Sequence, residues 1–192
     1  MVDGGALAQR FSLDRAQVEE LLLDCEASGL IQRVGFADVR GWSLTDAGRN
    51  EGTRLLAAEL EEAAARDAVV ESHAAFVRLN SRFLETITRW QIRPLPWDAM
   101  AANNHEDWRW DERVRDDLSG LARGLRPIDE QLSGALARFG GYADRLDAAL
   151  VRVDEGQRKW VDEPRIDSCH TVWFELHEDL IATLGLTRGD DA

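Results

Sequence analysis

The sequence predicts a mainly α-helical protein, with one short β-hairpin set among helices near the N-terminus and an all-α bundle after it. Three observations carry this reading. Val69, His73, Phe76, Asn80, Phe83, Ile87 and Trp90 recur at alternating spacings of four and three, the period of one seam of a helix in a bundle. Asp167–Leu184 reads as a helix buried most of the way round. One stripe there is Cys169, Val172, Trp173, Leu176, Leu180 and Leu184, and a second is His170, Phe174, His177 and Ile181. The hairpin is expected at Leu30–Phe36 and Gly41–Leu44, with a turn-like Gly35–Arg40 joining the strands.

Composition sets the outer bounds. A chain of 192 residues with 44% hydrophobic and 31% charged residues can bury a sizeable core in one or two domains. The formal net charge of −13 disfavours nucleic acid unless basic residues gather on one face. No apolar run approaches the ~18 residues that span a bilayer, and no signal peptide is recognisable, so a cytoplasmic protein with no membrane partner is expected. Cys25 and Cys169 lie on helical patterns and read as small apolar residues in a reducing compartment.

Taken in order, Gly5–Phe11 is a short helical piece. Ser12 and Asp14 offer a cap for a helix over Leu13–Ser28, whose inner face is Val18, Leu21, Leu22 and Cys25 and which Gly29 stops. The hairpin follows, and Thr45-Asp46-Ala47-Gly48-Arg49 opens the next helix. Short helix, tight turn, helix, hairpin, helix is the order of a winged helix-turn-helix.

Two stretches make the comparison more specific. LLLDCEASGLIQR and GWSLTDAGR resemble the recognition helix, wing and closing Leu-Thr-x-x-Gly-Arg of MarR-like transcriptional regulators, over roughly the first 65 residues. Beyond them, Trp90-Gln91-x-Arg93-Pro94, Asn103-x-His105-x-Asp107 and the closing SCHTVWFELHEDL look like a group of actinobacterial winged-helix proteins commonly labelled MarR-like. The resemblance implies a winged-helix module over residues 1–65, an all-α bundle over 66–192 for ligand sensing or dimerisation, DNA as a partner, and a homodimer. The DNA-contacting residues would be Arg15 and Gln17 on the recognition helix, Arg33 and Arg40 on the wing, and Arg49 beyond it. Two features depart from the family. Met1–Gly4 leave no room for the helix that precedes the short one. The presumptive recognition helix also carries Asp14, Glu19, Glu20, Asp24 and Glu26 against the single Arg15, whereas a groove-facing helix offers Arg, Lys, Asn or Gln to base edges and phosphates.

The central segment has no proline from Thr45 to Trp90, and a change of face near Ala63–Asp67 predicts a kink or break. Arg93-Pro94-Leu95-Pro96-Trp97 ends the seam helix. The next helix is expected to begin at Asn103-Asn104-His105, with the stripe Asp107, Trp110, Val114, Leu118 or Leu121, and Leu125. Pro127 suits the first turn of another helix, with the stripe Ile128, Leu132, Ala135 and Phe139. Gly140-Gly141 then turns the chain into a helix with Tyr142, Leu146, Ala149 and Val153 inward, and Trp160 reads as a buried anchor.

The histidines admit two readings. They are core groups bonded to neighbouring polar atoms, or they face a polar pocket. On the second reading His73 and Asn80 on one helix meet His170 and His177 on the last. His105 or Asp107 lies near the seam, Trp90, Trp110 and Trp173 form apolar walls, and Arg89 and Arg93 are at hand. Such a cavity would take a planar or partly aromatic small-molecule effector better than a phosphate. His105-x-Asp107-x-x-x-Asp111 matches no strong metal signature, the acidic residues there suiting a helix N-terminus instead, and no metal or cofactor is expected. No nucleophile elbow, phosphate-cradling loop or His-Glu-x-x-His is present. The leading expectation is a ligand-responsive regulator. The alternative is an enzyme or small-molecule binder on a winged-helix scaffold that has lost DNA binding.

Overall fold

The computed structural model describes residues 2–36 and 39–187. The chain divides into two compact units, Met1–Glu59 and Leu60–Ala192.

In the first unit, α1 (Gly4–Phe11) is capped by Asp3, and Ser12 closes it in the left-handed region. α2 (Arg15–Ala27) begins at Asp14, whose carboxylate accepts from the Ala16 and Gln17 amides at 2.9 and 3.1 Å. β1 (Ile31–Phe36) pairs antiparallel with β2 (Val39–Leu44) in a register running from Ile31–Leu44 to Phe36–Val39. The second strand thus starts two residues earlier than expected, and the centre of the predicted turn, residues 37 and 38, lies outside the described residues. Val2 adds an antiparallel bridge on the other edge of β2, exchanging both backbone hydrogen bonds with Trp42 at 2.9 and 2.7 Å. Ala8, Val18, Leu22 and Trp42 form a small core, with Leu7 and Ile31 against it. Leu21, expected inside, is exposed, because only Val18 and Leu22 on α2 turn inward.

α3 (Asp46–Glu62) leaves the hairpin through a tight joint. The Thr45 hydroxyl oxygen accepts from the Gly48 amide at 3.0 Å, and the hydroxyl donates to the Gly29 carbonyl at 2.7 Å. A Cβ on Gly48 would lie 1.8 Å from the Leu30 carbonyl oxygen, so only glycine lets the helix approach the strand this closely. Arg49 donates to the Leu44 carbonyl and pairs with Asp46. The Leu-Thr-x-x-Gly-Arg motif is therefore the chemistry of a hairpin-to-helix joint.

The second unit holds the larger core. The chain breaks where the change of face predicted, between Glu62 and α4 (Arg66–Gln91), with Ala64 at φ 47°. α4 packs on α5 (Trp108–Ala135), α5 on α6 (Tyr142–Asp154), α6 on α7 (Cys169–Leu184), and α7 back on α4, closing a four-helix bundle. The seam of α4 is buried at Val69, His73, Phe76, Phe83, Ile87 and Trp90 and half-buried at Asn80. Half-buried polar contacts tie the far end: Arg145 bridges Asp167 at 2.9 Å and Glu175 at 2.6 Å, and Tyr142 donates a hydrogen bond to Asp179 at 3.0 Å.

Four expectations need correction. Pro127 lies inside α5 rather than starting a helix. An interior proline costs ~3 kcal/mol. Leu121 and Leu125 before it and Ile128 and Leu132 after it are all buried on one seam, and at ~1.5–3 kcal/mol each their burial outweighs the break. α5 starts at Trp108 rather than Asn103, because His105 adopts φ 58° and Asp107 is the N-cap. The second stripe of α7 is only partly covered: Ile181 is buried, but His170 and His177 are half-buried and Phe174 is 45% exposed. Trp160 is half-buried, and its neighbour Val161 is the fully buried anchor.

Candidate functional site

The helical unit gathers polar side chains at one place, where the end of α4, the loop after it, and the start of α5 meet. The loop is stitched to α4: the Asn103 amide donates to the Gln91 carbonyl at 2.8 Å, and the Arg93 amide to the Ala101 carbonyl at 2.9 Å. Arg93 pairs with Asp107 at 2.7 Å, and Trp110 Nε1 donates to the Arg89 carbonyl at 2.8 Å. The Trp-Gln-x-Arg-Pro and Asn-x-His-x-Asp segments thus form one interlocked piece.

Inside it, Asn103 Nδ2 donates to the Trp90 carbonyl at 3.0 Å and to Asp111 Oδ1 at 2.9 Å. Both amide hydrogens are then used, so His105 Nδ1, 3.0 Å from Asp111 Oδ2, carries the proton and donates to the carboxylate. The His105 amide donates to Asn103 Oδ1 at 3.1 Å, and the His105 ring packs on Trp90 with centroids 4.4 Å apart. A left-handed histidine is strained by roughly 1–3 kcal/mol and persists only where the surroundings over-determine it. Here two hydrogen bonds and an aromatic contact do so.

Beside this cluster lies a cleft of about 200 Å³ lined by Trp90, Trp108, Asp111, Arg115, Val153, Gly156 and Arg158. Trp90 and Val153 are its buried floor, and Trp108, 62% exposed, stands at its mouth. Arg158 Nη2 donates to the His105 carbonyl at 3.2 Å, and Arg115 Nη1 lies 3.8 Å from Asp154.

The residues expected around a single pocket separate into two places. His73, Asn80, His170, Trp173 and His177 lie along the α4–α7 seam. Trp173 Nε1 donates to Asn80 Oδ1 at 2.9 Å, and the Trp173 ring stacks on Phe83 at 4.3 Å and lies 4.9 Å from Phe76. His177 sits 5.4 Å from the Phe76 ring, and His170 lies 6.5 Å from Phe83. Rings at these distances are in contact and leave no room for a ligand between them. Trp90 and His105 belong to the cleft region, and Trp90 lies ten residues or ~15 Å further along α4 than Asn80. Asp107 caps α5 and binds Arg93, while Trp110 is half-buried with its ring nitrogen engaged. Asp107 is thus drawn away from His105, and among the described residues no three His, Cys, Asp or Glu side chains gather as a metal site.

Asn103, Trp108, Asp111, Arg115 and Arg158 escaped the sequence-based pocket. Asp111 left a signal: Asp111, Val114, Leu118, Leu121 and Leu125 follow the three-four period, so an acidic residue opens the buried seam of α5. Arg158 sits in a single 3₁₀ turn with no periodicity to mark it.

The first unit has a groove of its own, about 440 Å³, lined by Arg15, Arg33, Arg40 and Trp42 together with Asp3 and Glu19. Arg33 lies 4.8 Å over the Trp42 ring and 3.3 Å from Glu26. Gln17 lies on the first turn of α2, and Arg49 is engaged at the α3 joint. In the second unit the Cys169 thiol is buried, and burial pushes it from 9.0 up to about 12. Such a thiol is not a nucleophile at neutral pH.

No protein-family model, curated protein or solved structure matches the chain.

Proposed function

We propose that residues 2–59 form a winged helix-turn-helix and that the chain is a DNA-binding transcriptional regulator of the MarR-like type, acting as a homodimer. One observation carries this reading. Arg15, Arg33 and Arg40, far apart in sequence, line one groove beside the first turn of α2 and the hairpin. Those are the elements by which a winged helix approaches the major groove and the flanking backbone. The Val2 bridge to β2 supports it, because it supplies the third, short strand that such modules carry beside the wing.

The acidic residues of α2 and of the groove set the expected strength. Glu19 and Asp3 sit among the arginines, so non-specific affinity is weak, and dimerisation is needed to pool the positive groups. The test is fluorescence anisotropy with the DNA upstream of the protein's own gene. Binding should weaken with salt, and Arg15→Ala and Arg40→Ala should each flatten the log–log salt slope by about one. Equal salt dependence in the double variant would overturn the mechanism.

A second reading is favoured by the carboxylates on α2: a small-molecule binder on a winged-helix scaffold without DNA affinity. It would show no salt-dependent DNA binding in the same titration.

A further inference from the structure

The geometry points to the cleft between α5 and the end of α6 as a binding site for a small zwitterion, an amino-acid-like molecule that carries an ammonium and a carboxylate close together. The cleft's about 200 Å³ is the room of some six or seven waters at ~30 Å³ each, the scale of such a molecule. Its charges are arranged in two poles. The negative pole is Asp111, whose side chain keeps 10% of its surface open. Oδ1 accepts from Asn103, Oδ2 accepts from His105, and a carboxylate has about four acceptor positions, so Asp111 retains capacity for a ligand N–H. The carboxylate is held rigidly, because the Asn103–His105 network fixes both of its oxygens.

The positive pole is Arg115, one helical turn beyond Asp111, with Arg158 across the mouth. Arg158 spends one N–H on the His105 carbonyl, and Arg115 faces Asp154 only at 3.8 Å, so both guanidinium groups keep donors for a ligand carboxylate. Trp90 and Trp108 flank the space. Aromatic faces attract an ammonium and accept an apolar side chain equally well. A simple anion would meet Asp111 unfavourably, and a simple cation the two arginines. A zwitterion satisfies both poles.

The inference stands apart from DNA binding and is tested without DNA. The native chain is titrated calorimetrically with a panel of neutral L-amino acids at millimolar concentration, and the best binder is then compared with its amide and its N-acetyl derivative. At least one amino acid should bind, and loss of either charge should weaken binding roughly tenfold or more. Arg115→Gln and Arg158→Gln, at the rim and outside the core, should each weaken the zwitterion by a similar factor while leaving the amide unaffected. Tryptophan fluorescence should respond to the ligand, and the response should fall in Trp108→Ala. No binding across the panel, undiminished binding of both derivatives, or unchanged affinity in both arginine variants would overturn the site.

Discussion

Adding one methyl group to either of two glycines on the same helix should have opposite consequences. Gly48 and Gly52 both lie in α3, one turn apart. At Gly52 a Cβ meets nothing within 4 Å, so Gly52→Ala should stabilise the first unit by ~0.5–1 kcal/mol through helix propensity alone. At Gly48 the Cβ would lie 1.8 Å from the Leu30 oxygen and 2.8 Å from its carbon. Both are backbone atoms and cannot swing aside, so α3 must draw back. Overpacking of this kind costs about 1–3 kcal/mol, and the retreat also strains the Thr45 bonds to Gly29 and Leu30, worth ~1 kcal/mol each. Set against the propensity gain, Gly48→Ala should lose roughly 2–4 kcal/mol. Hydrogen–deuterium exchange read by mass spectrometry on peptides covering residues 31–55 reports this unit by itself. Exchange in Gly48→Ala should accelerate on the order of a hundredfold at 1.4 kcal/mol per decade, and in Gly52→Ala it should slow. Equal protection in the two variants would refute the close approach of α3 to the strand.

Asn80→Ala removes the acceptor of the buried Trp173 ring nitrogen and should cost the second unit ~1–3 kcal/mol, read as a lower midpoint in urea followed by tryptophan fluorescence. Pro127→Ala restores a donor within α5 and should raise the thermal midpoint, with a gain of up to ~3 kcal/mol less the chain entropy that proline removes. In a thiol-labelling time course on native protein, Cys25 should react and Cys169 should not until unfolding. Because the folded state holds the Cys169 proton more tightly, that group's contribution to stability is full below 9.0 and is lost as pH rises toward about 12, at up to ~1.4 kcal/mol per pH unit. Alkaline denaturation of Cys169→Ala should show a correspondingly shallower fall.

Much of the fold was legible because burial imposes a period. The α4 seam from Val69 to Trp90 repeats every three or four residues, and the structure buries it apart from the half-buried Asn80. The cap at Asp14 and the stop at Gly29, which adopts φ 71°, were legible for an equally local reason, since orphan helix amides and carbonyls need short polar side chains or a left-handed residue. Pro127 was misread because a local breaker signal competes with tertiary burial, and burial won. The expected pocket came apart for a different reason. His170 and His177 share a stripe, but helical period does not say whether the facing aromatic rings leave space, and Phe76, Phe83 and Trp173 fill it. The Asn103–His105–Asp111 cluster depends on a loop that folds back on the end of α4. Its one local trace was an aspartate at the head of an apolar seam.

The proposed regulator requires Arg15, Arg33 and Arg40 to act together on a nucleic-acid backbone. The most direct measurement is the salt dependence of binding to the protein's own upstream DNA, with wild type and the Arg15→Ala/Arg40→Ala variant side by side. Three phosphate contacts per protomer predict a log–log slope on the order of −3 per protomer, falling by about two in the double variant. A slope near zero in the wild type, or the same slope in both proteins, would contradict it.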